Sequence, residues 1–416
     1  MYDQVLTFRQ LIAPTTAASF FKNNFGQRPL HVEGAGERYA DLFSWAELNE
    51  LLRMTAIWSN KSLEVSMNGR RLPAEAYCYE GTTRDNERGW RPDFVRLHQH
   101  LRKGASMTLN YVGRLTPALR SLSQTFEAVF GAPVNIFAFC SWEGVGAYPS
   151  HFDTGSVFVC QIDGCKTWNL YEGRMPNAAH SPGCSAGDFP PDFHERSKGK
   201  VLQRIELRPG DLLYVPHGQY HDAVASSQAS LHLSIAVRHM VAHDFVNVLA
   251  ADLPKDPLFR EHLPHIDALG AAEGYRKQLS ARLGEIIEAP QMSDELRRFL
   301  HAKAYEGVAE FDLPHLAEAR IYRVRWMHFT MSAADNVLQG RDDRATLGDR
   351  ATLGDRATLG DRATLGDEEA AWARWALERD YFSSLALAEA YPPAQPERQA
   401  AWLRDAQTVG LIEAMA

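Results

Sequence analysis

His151-Phe152-Asp153, followed seventy residues later by His221, carries the clearest chemistry in this chain. Two imidazoles and one carboxylate can occupy one face of an octahedral metal and leave the opposite face open. Non-haem Fe(II) oxygenases use that arrangement, because dioxygen and a co-substrate must both reach the iron. The His-x-Asp spacing suits a β-strand, where residues i and i+2 point to the same side, so the third ligand comes from another strand. The chain has sixteen histidines, and the triplet alone also fits surface or core-edge residues. The segments downstream of the triplet favour the metal.

Ser156 to Ile162 is apolar and β-branched, which predicts a buried strand. Asp163-Gly164 is a two-residue hairpin signal, and Cys165 to Tyr171 reads as the return strand. In that hairpin Ile162 faces Cys165 and Gln161 faces Lys166. Opposed residues project to the same side, so an even pleat puts Lys166 on the face that bears 151, 153 and 161; a bulge would break this parity. An unpaired buried ammonium is costly. A dicarboxylic co-substrate would supply its partner through a charge-assisted hydrogen bond; the alternative is a lysine snorkelling at the sheet edge.

The second half of the site is also legible. Leu207 to Asp211 reads as a turn, Leu212 to Val215 as a strand, and Pro216 to Tyr220 as a tight loop that delivers His221. Ser230 to Arg238 alternates as a strand with one polar face. His217 competes with His221 as a ligand, but its loop position between Pro216 and Gly218 makes it the poorer candidate, since ligands need rigid support.

Pro209-Gly210-Asp211-Leu212-Leu213-Tyr214-Val215-Pro216 with Gly218 and His221, together with His151-x-Asp153 and Lys166-x-Trp168, resembles the JmjC-type 2-oxoglutarate oxygenases. The nearest likeness is to the ribosomal-oxygenase branch of cupin-like proteins. Phe25 to Val32, Ser44 to Leu52 and Val134 to Phe137 resemble that branch's entry segment, next helix and pre-triplet strand, so the resemblance covers roughly residues 15–240. It implies His151, Asp153 and His221 as ligands of Fe(II), and Lys166 as the partner of the far carboxylate of 2-oxoglutarate, with O2 as second co-substrate. Asn135, Ser234 and His232 fall where the family places polar groups around the co-substrate. The sequence departs from the family at Phe137, where a tyrosine is usual, and in a longer approach to the triplet over 140–150. Tyr148 is the candidate to replace the missing hydroxyl.

The 416 residues suggest two or three domains. The net charge, 44 − 52 = −8, argues against a general nucleic-acid-coating surface and is compatible with a basic protein or peptide substrate. Five cysteines without a CxxC pair exclude a disulfide framework or zinc knuckle. The absence of a signal pattern or spanning apolar run gives the expectation of no membrane and a cytoplasmic setting. Thr15 to Phe21 reads as a capped helix start, and Pro117 to Phe126 carries a helical apolar stripe. The strand-rich core is expected over 134–238. Residues 176–200 form a Pro/Gly/Ser-rich excursion, with His180, Cys184, Asp188 and His194 read as solvated loop residues.

The expected division is an oxygenase domain over 1–240, a helical region over 241–335, a hexapeptide-repeat linker over 343–367 and a helical module over 368–416. The repeat Asp-Arg-Ala-Thr-Leu-Gly offers one leucine per unit, too thin for a β-helix. In the resembled branch the helical region mediates dimerisation and a winged helix closes the chain; here a plain helical tail fits the last segment equally well. The expected fold is a jelly-roll double-stranded β-helix of cupin/JmjC type framed by helices. The implied activity is hydroxylation of a side chain in a protein or peptide, with arginine or histidine of a ribosomal protein, or a ribosomally made peptide, as target. The alternatives are N-methyl-lysine demethylation by the same chemistry, a non-catalytic metal- or ligand-binding cupin, and a zinc hydrolase, which would leave Lys166 without a role.

Overall fold

Two antiparallel sheets face each other and enclose the metal-type residues. The structure is a computed structural model; it describes residues 6–265, 269–304, 319–332, 336–340, 352–353, 356–357, 362–392 and 396–415. The larger sheet runs in the order Leu30–Val32, Leu212–Val215, Ser156–Asp163, Ala229–Val237, Val134–Trp142, Ser106–Leu109, Leu63–Met67, Arg70–Arg71. The smaller places Lys166–Arg174 between Val201–Leu207 and Gln219–Ala225. This is the expected jelly roll with flanking helices.

The expected Asp163-Gly164 hairpin does not form. Ser156–Asp163 pairs with Leu212–Val215 and Ala229–Val237, while Lys166–Arg174 belongs to the opposite sheet. Asp163-Gly164 is a corner at which the chain crosses between sheets. Turn-forming residues report a backbone reversal; they do not report which strands pair. Gly164 has φ +64°, and a Cβ there would lie 1.8 Å from the Ala229 carbonyl oxygen, so the corner needs glycine.

Lys166 still faces the interior, because alternation within its own strand puts Lys166, Trp168 and Leu170 inside. Across the gap, Val157 and Val159 pack with Trp168, Leu170, Leu207, Leu213 and Val215. The opposite face of that strand, Phe158, Cys160 and Ile162, joins the main core. The helix Pro117–Phe130 covers this face. Thr116 caps it by accepting from Leu119 N, Pro117 takes the first turn, and Gly131 ends it in the left-handed region. Phe126 meets Phe158 at 4.8 Å between centroids, and Phe8 lies 5.9 Å from Phe126; burying each ring is worth about 1.5–3 kcal/mol. Thr16 caps the helix Ala17–Asn23.

After the core come helices Ala242–Asp252, Leu269–Glu288 and Pro290–Ala304. Their expected helical run gives way to a strand, Ile321–Val324, which pairs with Tyr381–Ser383 and Ile412–Ala414. These strands interrupt what reads as a helical tail; at three or four residues each, they are too short for alternation to reveal. They anchor the end of the chain to its beginning: Asp380 accepts from Phe8 N and from Trp326 Nε1, both at 2.7 Å, and Tyr381 donates to Ser121 Oγ at 2.9 Å. Of the repeat, 343–351, 354–355 and 358–361 lie outside the described residues. Thr352–Leu353 pairs with Arg356–Ala357, and Arg362–Thr364 pairs with Val337–Gly340, burying Ala363. No described helix is long and apolar enough to cross a membrane.

Gly164→Ala is expected to destabilise the fold by about 2 kcal/mol or more, from left-handed strain plus the carbonyl contact. Urea unfolding measures this, and an unchanged midpoint would contradict the corner.

Candidate metal centre and its pocket

The triplet does not lie in a regular strand. His151 makes one isolated antiparallel bridge to His221, and continuous strand begins at Ser156. The bridge is reciprocal: His151 N donates to the His221 carbonyl at 3.0 Å, and His221 N to the His151 carbonyl at 2.9 Å. This pairing sets the two rings side by side, 4.6 Å between centroids. The i, i+2 logic survives locally, with Phe152 buried on the other side against Tyr220 and Tyr171.

Asp153 completes the group. Its carboxylate lies 3.9 Å from His151 Nε2 and 3.5 Å from His221 Nε2, and one donor atom from each of the three lies within 4.8 Å of the others. His151 Nδ1 faces the Pro149 carbonyl at 2.8 Å and His221 Nδ1 the Gln219 carbonyl at 2.9 Å. A carbonyl accepts only from a protonated Nδ1, which leaves both Nε2 lone pairs for a metal. Burial, then the neighbouring His151, holds His221 below the usual histidine range despite Asp153, favouring the neutral, ligating form. The Asp153 side chain is 42% exposed, so one side of the cluster is open. The donor set fits a divalent metal with free coordination positions.

A second layer locks the two ligand segments from behind. Asp222, next to His221, accepts from Ser150, next to His151, and from Tyr171. Asn169 Nδ2 donates to its other oxygen at 2.8 Å. Burial alone would raise the Asp222 carboxyl; the bonds from Ser150, Tyr171 and Asn169 and the Lys198 charge outweigh it and hold the group below its ordinary range.

His217 stays out of the cluster. Its carbonyl accepts from Arg174 Nε at 3.1 Å, and the neighbouring Gly218 N donates to the Asp153 carbonyl at 2.8 Å. The loop thus holds the backbone of a candidate ligand, Asp153, instead of supplying a histidine to the cluster.

The cluster opens on a cavity of about 430 Å³. The larger sheet lines it in a register row: Glu64 opposite Thr108, Thr108 opposite Phe139, Phe139 opposite His232. The next inward rows pair Phe137 with Ser234 and Asn135 with Ala236. Lys166 and Trp168 enter from the smaller sheet. Lys166 is 2% exposed. Its Nζ donates to Ser141 Oγ at 3.2 Å and lies 6.0 Å from the Phe139 ring. Among the described residues no carboxylate pairs with it, and burial lowers its ammonium to about 8. His232 stacks on Phe139 at 4.9 Å, its Nδ1 has no partner, and burial keeps it neutral. Trp168 stacks on His221 at 5.6 Å, and its Nε1 is buried without a partner.

The structure therefore brings His151, Asp153, His221, Lys166, Asn135, Ser234, His232 and Tyr148 to one cavity. The hydroxyl of Tyr148, the candidate to replace the one missing at Phe137, donates to Glu64 Oε2 at 3.3 Å. Glu64, Thr108, Asn110, Tyr111 and Arg238 also line the cavity and were not anticipated. Glu64 and Thr108 sit on short N-terminal strands with no motif of their own, so only the sheet order could place them. Two residues of the 176–200 excursion are not simply solvated. His180 lines the cavity, and His194 bridges the Tyr220 hydroxyl and the Ala186 carbonyl, both at 3.0 Å. An aromatic cluster of Phe152, Tyr220 and Phe189 draws this segment down. Among the described residues no second metal-type group occurs, and all five cysteines are free.

Residues 115–245 match the JmjC domain family. The chain is 26% identical over 296 residues to the bifunctional lysine-specific demethylase and histidyl-hydroxylase NO66 of Dictyostelium discoideum, covering 70% of this chain and 53% of that one. It is 26% identical over 221 residues to ribosomal oxygenase 2 of Bos taurus, covering 52% and 44%. It spans about half the length of these curated relatives. Among solved structures, YcfD, a ribosomal oxygenase from Escherichia coli in complex with cobalt and 2-oxoglutarate, superposes with a TM-score of 0.50 at 15% identity, covering 97% of this chain and 99% of that one. That likeness is one of fold.

Asp222→Ala is expected to weaken divalent-metal affinity by roughly tenfold or more by loosening the ligand segments. Titration with Co(II) measures it; wild-type affinity in a folded variant would refute the clamp.

Proposed function

We propose that this chain, a JmjC ribosomal-oxygenase-like protein, is an Fe(II)- and 2-oxoglutarate-dependent oxygenase that hydroxylates a side chain of a protein or peptide. Arginine or histidine of a ribosomal protein is the leading target class, with a ribosomally made peptide next to it. The observation that carries this reading is Lys166: an ammonium buried without a carboxylate at the floor of the cavity that holds the His/Asp/His group. A metal-only site leaves that charge unexplained. A dicarboxylate that ligates the metal at one end and meets Lys166 at the other accounts for both.

His151, Asp153 and His221 would hold the iron. Ferrous iron, when bound, supplies oxidative decarboxylation of 2-oxoglutarate by O2 and transfer of one oxygen atom to a substrate C–H bond. The chain's own residues do the rest. Lys166 fixes the far carboxylate. His232, Ser234 and Asn135 offer polar atoms along the cavity wall, and neutral His232 can donate or accept. Phe137, Phe139, Val157 and Trp168 keep the wall apolar, which strengthens each polar contact inside. Tyr148 holds Glu64. The exposed side of Asp153 leaves room for a target side chain to approach.

The accompanying division is an oxygenase unit over 1–240, a dimerising region over 241–335 whose described helices end at Ala304 before the strand Ile321–Val324, a repeat segment over 343–367 and a C-terminal module over 368–416 that shares a sheet with that strand, with no direct role for nucleic acid. The free cysteines suit a reducing, cytoplasmic setting.

Lys166→Ala is expected to weaken 2-oxoglutarate binding by about a hundredfold while metal stays bound. Unchanged binding by calorimetry removes the co-substrate assignment. Wild-type affinity should be flat below pH 8 and fall towards tenfold per unit above it. The anion binds the protonated ammonium, and the empty site holds its proton only up to about pH 8. For the activity itself, mass spectrometry of candidate ribosomal proteins and peptides should show one added oxygen that depends on Fe(II) and 2-oxoglutarate. Loss of a methyl group with formaldehyde release would mean demethylation, and no succinate with any target would mean a non-catalytic binder.

A further inference from the structure

Beneath Lys166 lies a row of hydroxyls that belongs neither to the metal group nor to the cavity wall. Ser66 opposes Ser106 across one strand pair, and Ser141 opposes Ser230 across another. Ser106 Oγ donates to Ser141 Oγ at 3.0 Å, joining the two pairs into one row over four adjacent strands. The four side chains are 2%, 1%, 0% and 1% exposed from Ser66 to Ser230 in row order. Gln161 Nε2 closes the far end on Ser230 Oγ at 2.9 Å, while its Oε1 is buried with no partner. Inward positions next to this row carry Phe139, Phe137 and Val159. Four hydroxyls in such a setting cost stability unless they bond to something that needs them.

Lys166 Nζ needs one of them, Ser141, which Ser106 backs. Among the described residues its one hydrogen bond goes to Ser141 Oγ, and none of the titratable groups around it forms an ion pair with it. Cys140, on the strand that carries Ser141, is pushed by burial to about 12 and points to the Met107 carbonyl. His232 is held neutral by burial. Glu64, at the end of the neighbouring row, is engaged by Arg71, Asn110 and Tyr148. His151, Asp153 and His221 form the metal group elsewhere in the same cavity.

We propose that Ser141, backed by Ser106, is a positioning residue for Lys166: its oxygen aims the ammonium into the cavity and favours its charged form, so that the empty site stays ready for an anionic co-substrate. The inference rests on the co-substrate reading of Lys166. It requires an effect that decays along the row, greatest at Ser141, smaller at Ser106 and absent at Ser66, whose Oγ makes no hydrogen bond.

The test is 2-oxoglutarate binding by calorimetry to Mn(II)-loaded protein between pH 6 and 9.5. Ser141→Ala should lower the pH at which affinity begins to fall by roughly one unit, the size expected for one lost charge-assisted hydrogen bond. The deficit against wild type is then small at pH 6 and approaches tenfold above pH 8. Ser106→Ala should move the same way by less, Ser66→Ala should match wild type, and Ser141→Thr, which keeps the hydroxyl, should restore the profile. A purely structural serine would lower affinity by a factor independent of pH, and that outcome overturns the proposal, as does a wild-type profile for Ser141→Ala. If Ser141→Ala does not fold, Ser141→Cys keeps the volume with a poorer acceptor and must shift the profile in the same direction. Both overturning outcomes count against Ser141 alone when Lys166→Ala weakens binding by about a hundredfold as expected; if Lys166→Ala binds normally, the co-substrate reading is what fails.

Discussion

One reciprocal pair of backbone hydrogen bonds, between His151 and His221, fixes the site. Seventy residues separate the two in sequence, and no side-chain preference could bring them together. The bridge does so with main-chain groups, so the imidazoles inherit their spacing from sheet geometry. Each ring then has one nitrogen committed to a nearby carbonyl and the other left free. Asp153 is held by its backbone through Gly218 and so keeps its carboxylate available. Asp222 and Ser150 repeat the bridge one residue away with side chains. The ligand face and the clamp face alternate along the same short segments, which lets the outer network stiffen the inner one without entering the cavity.

The metal group and Lys166 were legible in the sequence because period-2 alternation is a local property: it tells which residues share a face whatever the strand pairs with. Partner identity is not local. Asp163-Gly164 announces a reversal, and both a hairpin and a sheet-to-sheet corner need one. The choice depends on whether Ser156–Asp163 finds better partners elsewhere, and it finds two. Lys166 reached the interior by its own strand's pleat, so the conclusion about its face survived an incorrect pairing. The His217 and His221 choice was also readable, since a ligand flanked by proline and glycine lacks a rigid seat.

Other parts left no local trace. Glu64 and Thr108 come from four- and five-residue strands whose side chains become pocket walls only because those strands extend the large sheet past Val134–Trp142. The C-terminal sheet rests on strands of three and four residues, with partners some sixty to ninety positions away. Its helices dominate the periodicity and hide it. Buried Asp380 shows the same limit: it accepts from the backbone N–H of Phe8 across 372 residues, a pairing that nothing local marks.

The strand Ser156–Asp163 shows why function and stability are bound to one register here. Its outward residues, Phe158, Cys160 and Ile162, complete the core under the helix Pro117–Phe130, and its inward residues, Val157, Val159 and Gln161, face the site. A slip of one residue would turn Phe158 into the cavity and Gln161 into the core, losing both at once. The large aromatic interface on the outer face thus holds the inner face in register, and this allows the inner face to carry what a core normally excludes, an unpartnered imidazole nitrogen and a row of serines, opposite an ammonium from the smaller sheet. Polar groups of that kind weaken a fold when they must also define it. Here the definition comes from the Phe126–Phe158 side of the sheet, and the cavity side is left free to be shaped by what it binds.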